Sequence, residues 1–516
     1  MDRGRMKLQK IMQGGKQMAL NYATYLDKMR GCFLGKNIGG TLGTPFEGME
    51  GIADITYYTH DVEKLGVLPN DDLDLQLVFL VAAEKYGIGV NAEVLANHWL
   101  TYIVPNWSEY GMGKRNLRGG LLPSVSGGYH NEFGESNGSW IRSEIWACLA
   151  PGNPARAVQY AYEDAIVDHF GEGIYGEIFC AAMESAAFVE SDTEKLIDIG
   201  LSYIPSDCVL AQAVQFVRNC AKDPALDWKA TRKKLLQSFP SSFHWGIMPG
   251  CEKDPEIPDG KHGFDTPANI GIALLGHYYG GGDFSRAICI AASCGEDSDC
   301  TAGTLGALYG ILYGTAGIDE KWCVPIGDEI KTISLDRSKA GIAGTVSELC
   351  TRIARLMPSF MREQISLDDV GRISFIPVPT LFAPAGCGEK WHAKHLVLRR
   401  ESPYVKVAAL FDTADVAEDT LLPIELRVEG KSVSDQYVEW TTAIWHLPEG
   451  WEAVGGNESS FTMALPWNEL RLQTGLIPHG MTRGKYTATL ELQFAANPSR
   501  IYLPFTFYHT LPKVKE

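Results

Sequence analysis

No two cysteines stand at CxxC spacing in this chain, no segment repeats, and none falls to low complexity. Each absence excludes something. Twelve cysteines scattered singly make no disulfide framework, and such spacing suits reduced thiols, so a cytoplasmic setting is expected. No run of about 18 apolar residues occurs, so no transmembrane helix is expected. The opening MDRGRMKLQKIMQGGKQMAL is basic but lacks an apolar core and a clear cleavage site, so residues 1–19 are expected to form a loose tail rather than a secretory signal. Positive charge is also short. The 46 Lys and Arg face 63 Asp and Glu, a net −17, and the repulsion argues against nucleic acid or an anionic membrane as a general partner.

What is present reads as a globular chain of more than one domain. It has 516 residues, 45% hydrophobic and 21% charged, too many for one ordinary core. Residues 20–356 are mostly helical in pattern. In DDLDLQLVFLVAAEKYG, Leu75, Val78, Phe79 and Ala82 share one face at the 3.6-residue period. PARAVQYAYEDAIVDHF and GEIFCAAMESAAFVE are Ala-rich and free of internal proline, and VSELCTRIARLM closes the series. Residues 357–384 are proline-rich and read as a linker. Over 385–516 the period changes to two: Ile424, Leu426 and Val428 alternate with charged residues, as Tyr486, Ala488, Leu490, Leu492 and Phe494 do with mainly polar ones. RIYLPFTFYH adds a candidate strand. The expected fold is an all-α domain followed by a small antiparallel β-sandwich.

Two acid clusters stand before apolar helical stretches. The first is Asn70, Asp71 and Asp72; the second is Glu296, Asp297 and Asp299, leading into a stretch with Gly303, Gly306 and Gly310. Helix capping is the ordinary use of such residues. Small residues at this spacing let a second backbone approach closely. If the two starts adjoin, several carboxylates meet near the core and need cations or protons. Oxygen-only clusters of this kind suit Mg²⁺, Mn²⁺ or Ca²⁺. Cys294 and Cys300, without CxxC spacing, give little support to a redox site.

GCFLGKNIGGTLGTPFEG, PNDDLDLQ, ESNGSWIRSEIWACLAPGNP and GEDSDCTAGTLGALYG occur in the order found in ADP-ribosylglycohydrolases, and residues 22–318 resemble that family. The resemblance implies an all-α domain with a two-metal site, usually Mg²⁺, and cleavage at the anomeric carbon of an ADP-ribosyl group. It implies metal ligands at Asn70, Asp71, Asp72, Asp297, Asp299 and Cys300. Two of these depart from the family pattern, since Asn70 and Cys300 stand where hydroxyl residues are usual, and Mg²⁺ binds sulfur poorly. Glu296 replaces a common glycine and is a candidate acid beside the ligands.

The resemblance further implies that Glu47 activates water or gates entry, that Asp299 shares the catalytic work, and that Asn137, Gly138, Ser139 and His169 approach the substrate. Trp140 and Trp146 are candidate stacking surfaces as well as core residues. The implied substrate is a small ribosyl or glycosyl molecule or an ADP-ribosylated protein, and the implied enzyme a glycosylase-type hydrolase. The β domain, with Trp440, Trp445, Trp451 and Trp467, leaves two alternatives open on the same residues. One is a hydrolase of carbohydrate or nucleoside glycosides. The other is a non-catalytic ligand-binding or structural member of the superfamily.

Overall fold

A computed structural model of the chain describes residues 20–241, 246–260, 265–336, 338–391, 396–431, 437–465, 469–495 and 499–509. The expected tail at 1–19 and Trp467 lie outside the described residues. The chain divides into two compact units, one of residues 1–111 and 132–392, the other of residues 112–131 and 393–516.

The first unit is helical, and one helix pair organises it. Helix α1 (Tyr22–Gly43) starts at Asn21, whose side chain accepts the Thr24 N–H at 2.9 Å. Its glycines recur every fourth residue, at 31, 35, 39 and 43, and so form one stripe along the helix. A later helix (Ser298–Tyr313) is laid against that stripe in the opposite direction. A Cβ built on Gly35 would stand 2.1 Å from the Gly306 carbonyl oxygen, and one on Gly306 would stand 2.3 Å from the Gly35 carbonyl oxygen. The two backbones are therefore in contact, which only glycine permits. The antiparallel arrangement brings the exit of α1 to the entry of the later helix, where Ser298 Oγ donates to the Gly43 carbonyl at 2.9 Å.

Between them in sequence come α2 (Asp74–Tyr86), α3 (Glu144–Leu149) and α4 (Glu172–Ala187). The helix paired with α1 is α5 (Ser298–Tyr313), and α6 (Val346–Met361) follows it. Leu75, Val78, Phe79 and Ala82 of α2 are all buried, as their period predicts, but so are Asp74 and Gln76. The helix is enclosed on nearly every side. Helix α6 continues past the VSELCTRIARLM stretch through Pro358, and Ile365–Leu367 then pairs antiparallel with Ile373–Phe375. No helix among the described residues is long and apolar enough to cross a membrane.

The second unit holds β1 (Leu396–Glu401), β2 (Val405–Phe411), β3 (Leu422–Gly430), β4 (Tyr437–His446), β5 (Glu452–Ala453), β6 (Glu458–Leu465), β7 (Glu469–Ile477), β8 (Gly484–Phe494) and β9 (Arg500–His509). They form two antiparallel sheets, β6-β4-β8-β9 and β1-β2-β3-β7-β5. The alternation read from the sequence is the alternation of burial: Leu422, Ile424, Leu426 and Val428 of β3 point inward, as do Ala488, Leu490, Leu492 and Phe494 of β8. Rings from the two sheets meet in the core, with Phe411 5.6 Å from Phe505 and Trp445 5.4 Å from Phe505. Trp451 is buried with them, whereas Trp440 is 56% exposed.

The glycine contact yields a direct test. Gly35→Ala adds a methyl group where the opposing backbone stands, and is expected to cost about 1–3 kcal/mol despite the roughly 1 kcal/mol that alanine gains in helix propensity. Gly344→Ala, which meets nothing within 4 Å, serves as the control. Thermal melts of the two variants check this, and a Gly35→Ala protein as stable as the control contradicts the packing.

Candidate metal and active site

Three chain segments converge where α1 ends and α5 begins. The exit of α1 leads through a short turn (Thr44–Phe46) to Glu47. The loop before α2 carries Asn70, Asp71 and Asp72, and α5 opens with Asp297, Asp299 and Cys300. Backbone bonds tie the first segment to the third: Gly48 N–H donates to the Glu296 carbonyl at 2.7 Å, and Glu296 N–H to the Met49 carbonyl at 2.9 Å. This clasp needs Gly295 at φ +69°, since a Cβ there would stand 2.3 Å from the Met49 carbonyl oxygen.

Neither acid cluster caps its helix. Leu73 and Asp297 occupy the cap positions of α2 and α5, and neither makes a side-chain capping bond. The carboxylates are instead turned to one another. Oxygen atoms of Glu47, Asp297 and Asp299 lie within 4.8 Å of one another, and so do ligand atoms of Asp72, Asp299 and Cys300. Asp72, Asp297, Asp299 and Cys300 are buried, while Glu47, Asn70 and Asp71 are half-buried. The group is a well with Glu47, Asn70 and Asp71 at its rim.

Amide groups fix the two deepest aspartates. Asn137 Nδ2 donates to Asp297 Oδ2 at 2.8 Å, and Asn70 Nδ2 donates to Asp299 Oδ2 at 2.9 Å. Asn269 Oδ1 receives the Asp297 N–H at 3.1 Å. The other oxygens, Asp297 Oδ1 and Asp299 Oδ1, are buried and accept no hydrogen bond from an amide, hydroxyl, ammonium or backbone N–H, the Asp299 carboxyl and the Cys300 thiol being the further polar neighbours of Asp297. Asn70 itself is anchored by its amide oxygen, which accepts the Asp72 N–H at 2.7 Å. It thus presents its nitrogen, not its oxygen, to Asp299.

Asp72 has different company. Lys36, buried in α1, places Nζ 3.1 Å from Asp72 Oδ2, 3.0 Å from Glu144 Oε1 and 2.9 Å from Thr304 Oγ1. Cys300 Sγ donates to Asp72 Oδ1 at 3.3 Å. At the rim, Tyr110 donates to Asp71 Oδ2 at 2.8 Å. Glu296 turns away from the well to Arg232, 3.3 Å off.

The remaining expected site residues divide. Asn137 belongs to the well through Asp297. Gly138 adjoins Glu109, whose carboxylate would stand 2.1 Å from a Cβ at that position. Ser139 is buried and donates to the Gly173 carbonyl at 2.6 Å. His169 is buried between Ser136 Oγ at 3.3 Å and Asp168 Oδ1 at 3.0 Å. The side chains of Ser139 and His169 thus brace the loop from within. Trp140 and Trp146 are buried, their N–H groups donating to Asn137 Oδ1 and Asp164 Oδ2. All twelve cysteines are free. Lys36, Tyr110, Glu144 and Asn269 were not marked by the sequence reading. Lys36 alone carried a signal, as the one charged residue in the glycine-spaced run from Gly31 to Gly43.

Burial and crowding raise the acids of the well. Burial first, then the neighbouring Asp297, Asp71 and Asp72, push Glu47 up to about 9. Burial and Asp72 push Asp71 up to about 7, against the Tyr110 hydrogen bond. Asp297 and Asp299 are raised for the same reasons. Burial likewise pushes the Cys300 thiol up, aided by Asp297 and Asp72.

Each raised carboxyl binds its proton more tightly folded than unfolded. Its contribution to stability is complete below the ordinary carboxylate range and is lost as pH rises through the folded value. In protein freed of metal by chelator, stability is expected to fall between about pH 5 and pH 9, Asp71 losing its part by about 7 and Glu47 by about 9. Melting temperature against pH measures this. Asp71→Asn should flatten the lower part of the curve and Glu47→Gln the upper; unaltered slopes in both would contradict the assignment.

No curated protein matches the chain. A solved chain described as an ADP-ribosylglycohydrolase-related protein complex is 18% identical, covering 66% of this chain and 100% of its own at a TM-score of 0.43. The ADP-ribosylglycohydrolase family model matches residues 21–355. That stretch contains every segment that builds the well, and the chain belongs to the ADP-ribosylglycohydrolase family.

Proposed function

We infer that this protein is a cation-dependent glycoside-type hydrolase. It cleaves an N- or O-glycosidic bond at the anomeric carbon of an ADP-ribosyl or ribose-like group. One observation carries this beyond family membership. Asp297 and Asp299 each have one oxygen clamped by an amide and one buried oxygen that no amide, hydroxyl or ammonium meets, beside a third carboxylate at the rim. Ligand oxygens so fixed fit a hard divalent cation, Mg²⁺ first and Mn²⁺ or Ca²⁺ by the same chemistry. Glu47, Asp297 and Asp299 would hold it. Of the six ligands that the resemblance implies, Asp72, Asp299 and Cys300 form the second group of ligand atoms where another ion would fall. A bound ion of this kind would supply Lewis acidity that orients a sugar diol and a water and makes that water easier to deprotonate.

The chain's own residues do the rest. Glu47, at the half-buried rim, orients the attacking water and takes its proton at the carboxylate, which only the ionised form can do. Asn70 and Asn137 hold Asp299 and Asp297 in place, so the site does not reorganise during the reaction. Tyr110 holds Asp71 at the rim. The backbone from Ser136 to Ser139, braced below by His169 and Glu109, offers a close approach to the sugar and phosphates. The twelve free cysteines suit a reducing cytoplasm.

A second reading, hydrolysis of carbohydrate glycosides, is favoured by the exposed Trp440 and Tyr502, which lie on one face of the four-stranded sheet and present sugar-stacking rings.

A mass-spectrometric screen of ADP-ribosyl-arginine, ADP-ribosyl-serine, nucleosides and oligosaccharides, each with Mg²⁺ and with chelator, tests the function. Mg²⁺-dependent release of a ribosyl product is expected. Asp299→Asn should lower turnover by about 10²–10³-fold or more, the usual loss for one preorganised electrostatic partner. It should also remove the stabilisation by Mg²⁺, about 2.7 kcal/mol at a hundredfold excess over Kd. A folded Asp299→Asn enzyme with unchanged turnover defeats the assignment.

A further inference from the structure

The two groups of ligand atoms in the well share Asp299 but differ in what already occupies them. In the group of Glu47, Asp297 and Asp299, two buried carboxylate oxygens face no amide, hydroxyl or ammonium. In the group of Asp72, Asp299 and Cys300, Asp72 Oδ2 accepts no hydrogen bond either but already faces a cation, the Lys36 ammonium ion-paired at 3.1 Å, and Oδ1 accepts from the Cys300 thiol at 3.3 Å. Lys36 is not free to leave. Its ammonium donates to Thr304 and is ion-paired with both Asp72 and Glu144, and its side chain is buried. Gly303 leaves room for it, since a Cβ there would stand 3.3 Å from Lys36 Cδ and 3.1 Å from Asp72 Oδ2.

A divalent ion bound to Asp72 would share its carboxylate with a fixed ammonium, and the repulsion between two cations so close is weakly screened in a buried site. Its remaining ligand would be sulfur, which Mg²⁺ binds poorly. The geometry points to a single divalent ion per chain, held by Glu47, Asp297 and Asp299, with the Lys36 ammonium standing permanently in the place of the second. This rests on the cation-dependent reading above and departs from the two-ion arrangement that the family resemblance implies. Lys36 is a positioning residue. It faces Asp72 with a positive charge and fixes it without the chain having to recruit a second ion.

The test counts ions. Full-length protein is dialysed to equilibrium against Mn²⁺, bound metal is measured by mass spectrometry, and the bound Mn²⁺ is examined by electron paramagnetic resonance. The wild-type protein is expected to hold one Mn²⁺ per chain with the six-line spectrum of an isolated ion. Lys36→Met should raise the count to two, with the spectrum of a spin-coupled pair. Cys300→Ser supplies a hard ligand but leaves Lys36 in place, and should stay at one. Two ions per wild-type chain, a folded Lys36→Met protein that stays at one, or Cys300→Ser reaching two would each overturn the inference. Should Lys36→Met fail to fold, the wild-type and Cys300→Ser counts still decide. Two ions in the wild type would leave the hydrolase reading standing, whereas no bound ion at all would remove the cation-dependent reading with it.

Discussion

A carboxylate taken out of water costs several kcal/mol unless a cation, a proton or several donors meet it. This protein buries Asp72, Asp297 and Asp299 together, beside Glu47 and Asp71. The rest of the first unit can be understood as the means of doing so. The glycine stripe of α1 lets its backbone touch that of α5, and this contact, with the Gly48 and Met49 backbone bonds to Glu296, brings Glu47 onto the start of α5. Each acid is then met differently: Asp72 by Lys36 and Cys300, Asp71 by Tyr110, and one oxygen each of Asp297 and Asp299 by Asn137 and Asn70. The oxygens left over are where the structure asks for a cation.

Much of this was legible in the sequence, for reasons that can be named. Two acid-rich segments stand before apolar helical runs, and the small-residue spacing of Gly303, Gly306 and Gly310 announces a close helix contact. The alternation of Ile424, Leu426 and Val428 revealed a half-buried strand because one sheet face must be apolar. Other features had no local signal. Capping was the ordinary expectation for Asn70 to Asp72, yet the orientation of those side chains is decided by Lys36, Tyr110 and Asp299, which lie far away in sequence. A lysine in a helix usually reaches for solvent, so nothing near Lys36 disclosed that it would be buried against Glu144, 108 residues on. Residues 112–131, by contact, belong with the β-strands, although they lie within the stretch whose pattern reads as helical.

The two departures from the family pattern acquire a physical meaning in this setting. Asn70 replaces a hydroxyl residue, and its amide serves as a bracket between the Asp72 backbone and Asp299 Oδ2. Cys300 replaces another, and its thiol donates to Asp72. Together with Lys36 they describe one arrangement: the Asp72 side of the well is closed by an ammonium, a thiol and an amide, while the Glu47 side keeps buried oxygens that no amide, hydroxyl or ammonium meets. A site with one open side still meets the needs of glycoside hydrolysis, where a sugar and a water must be held against a single anomeric carbon.

The most direct measurement of the central claim is an anomalous-difference map from wild-type crystals grown with Mn²⁺. The account predicts one peak per chain, bonded to Asp297 Oδ1, Asp299 Oδ1 and Glu47, with the Lys36 ammonium still against Asp72. A map without a peak at those oxygens, or with a peak bonded to Asp72 and Cys300, would contradict it.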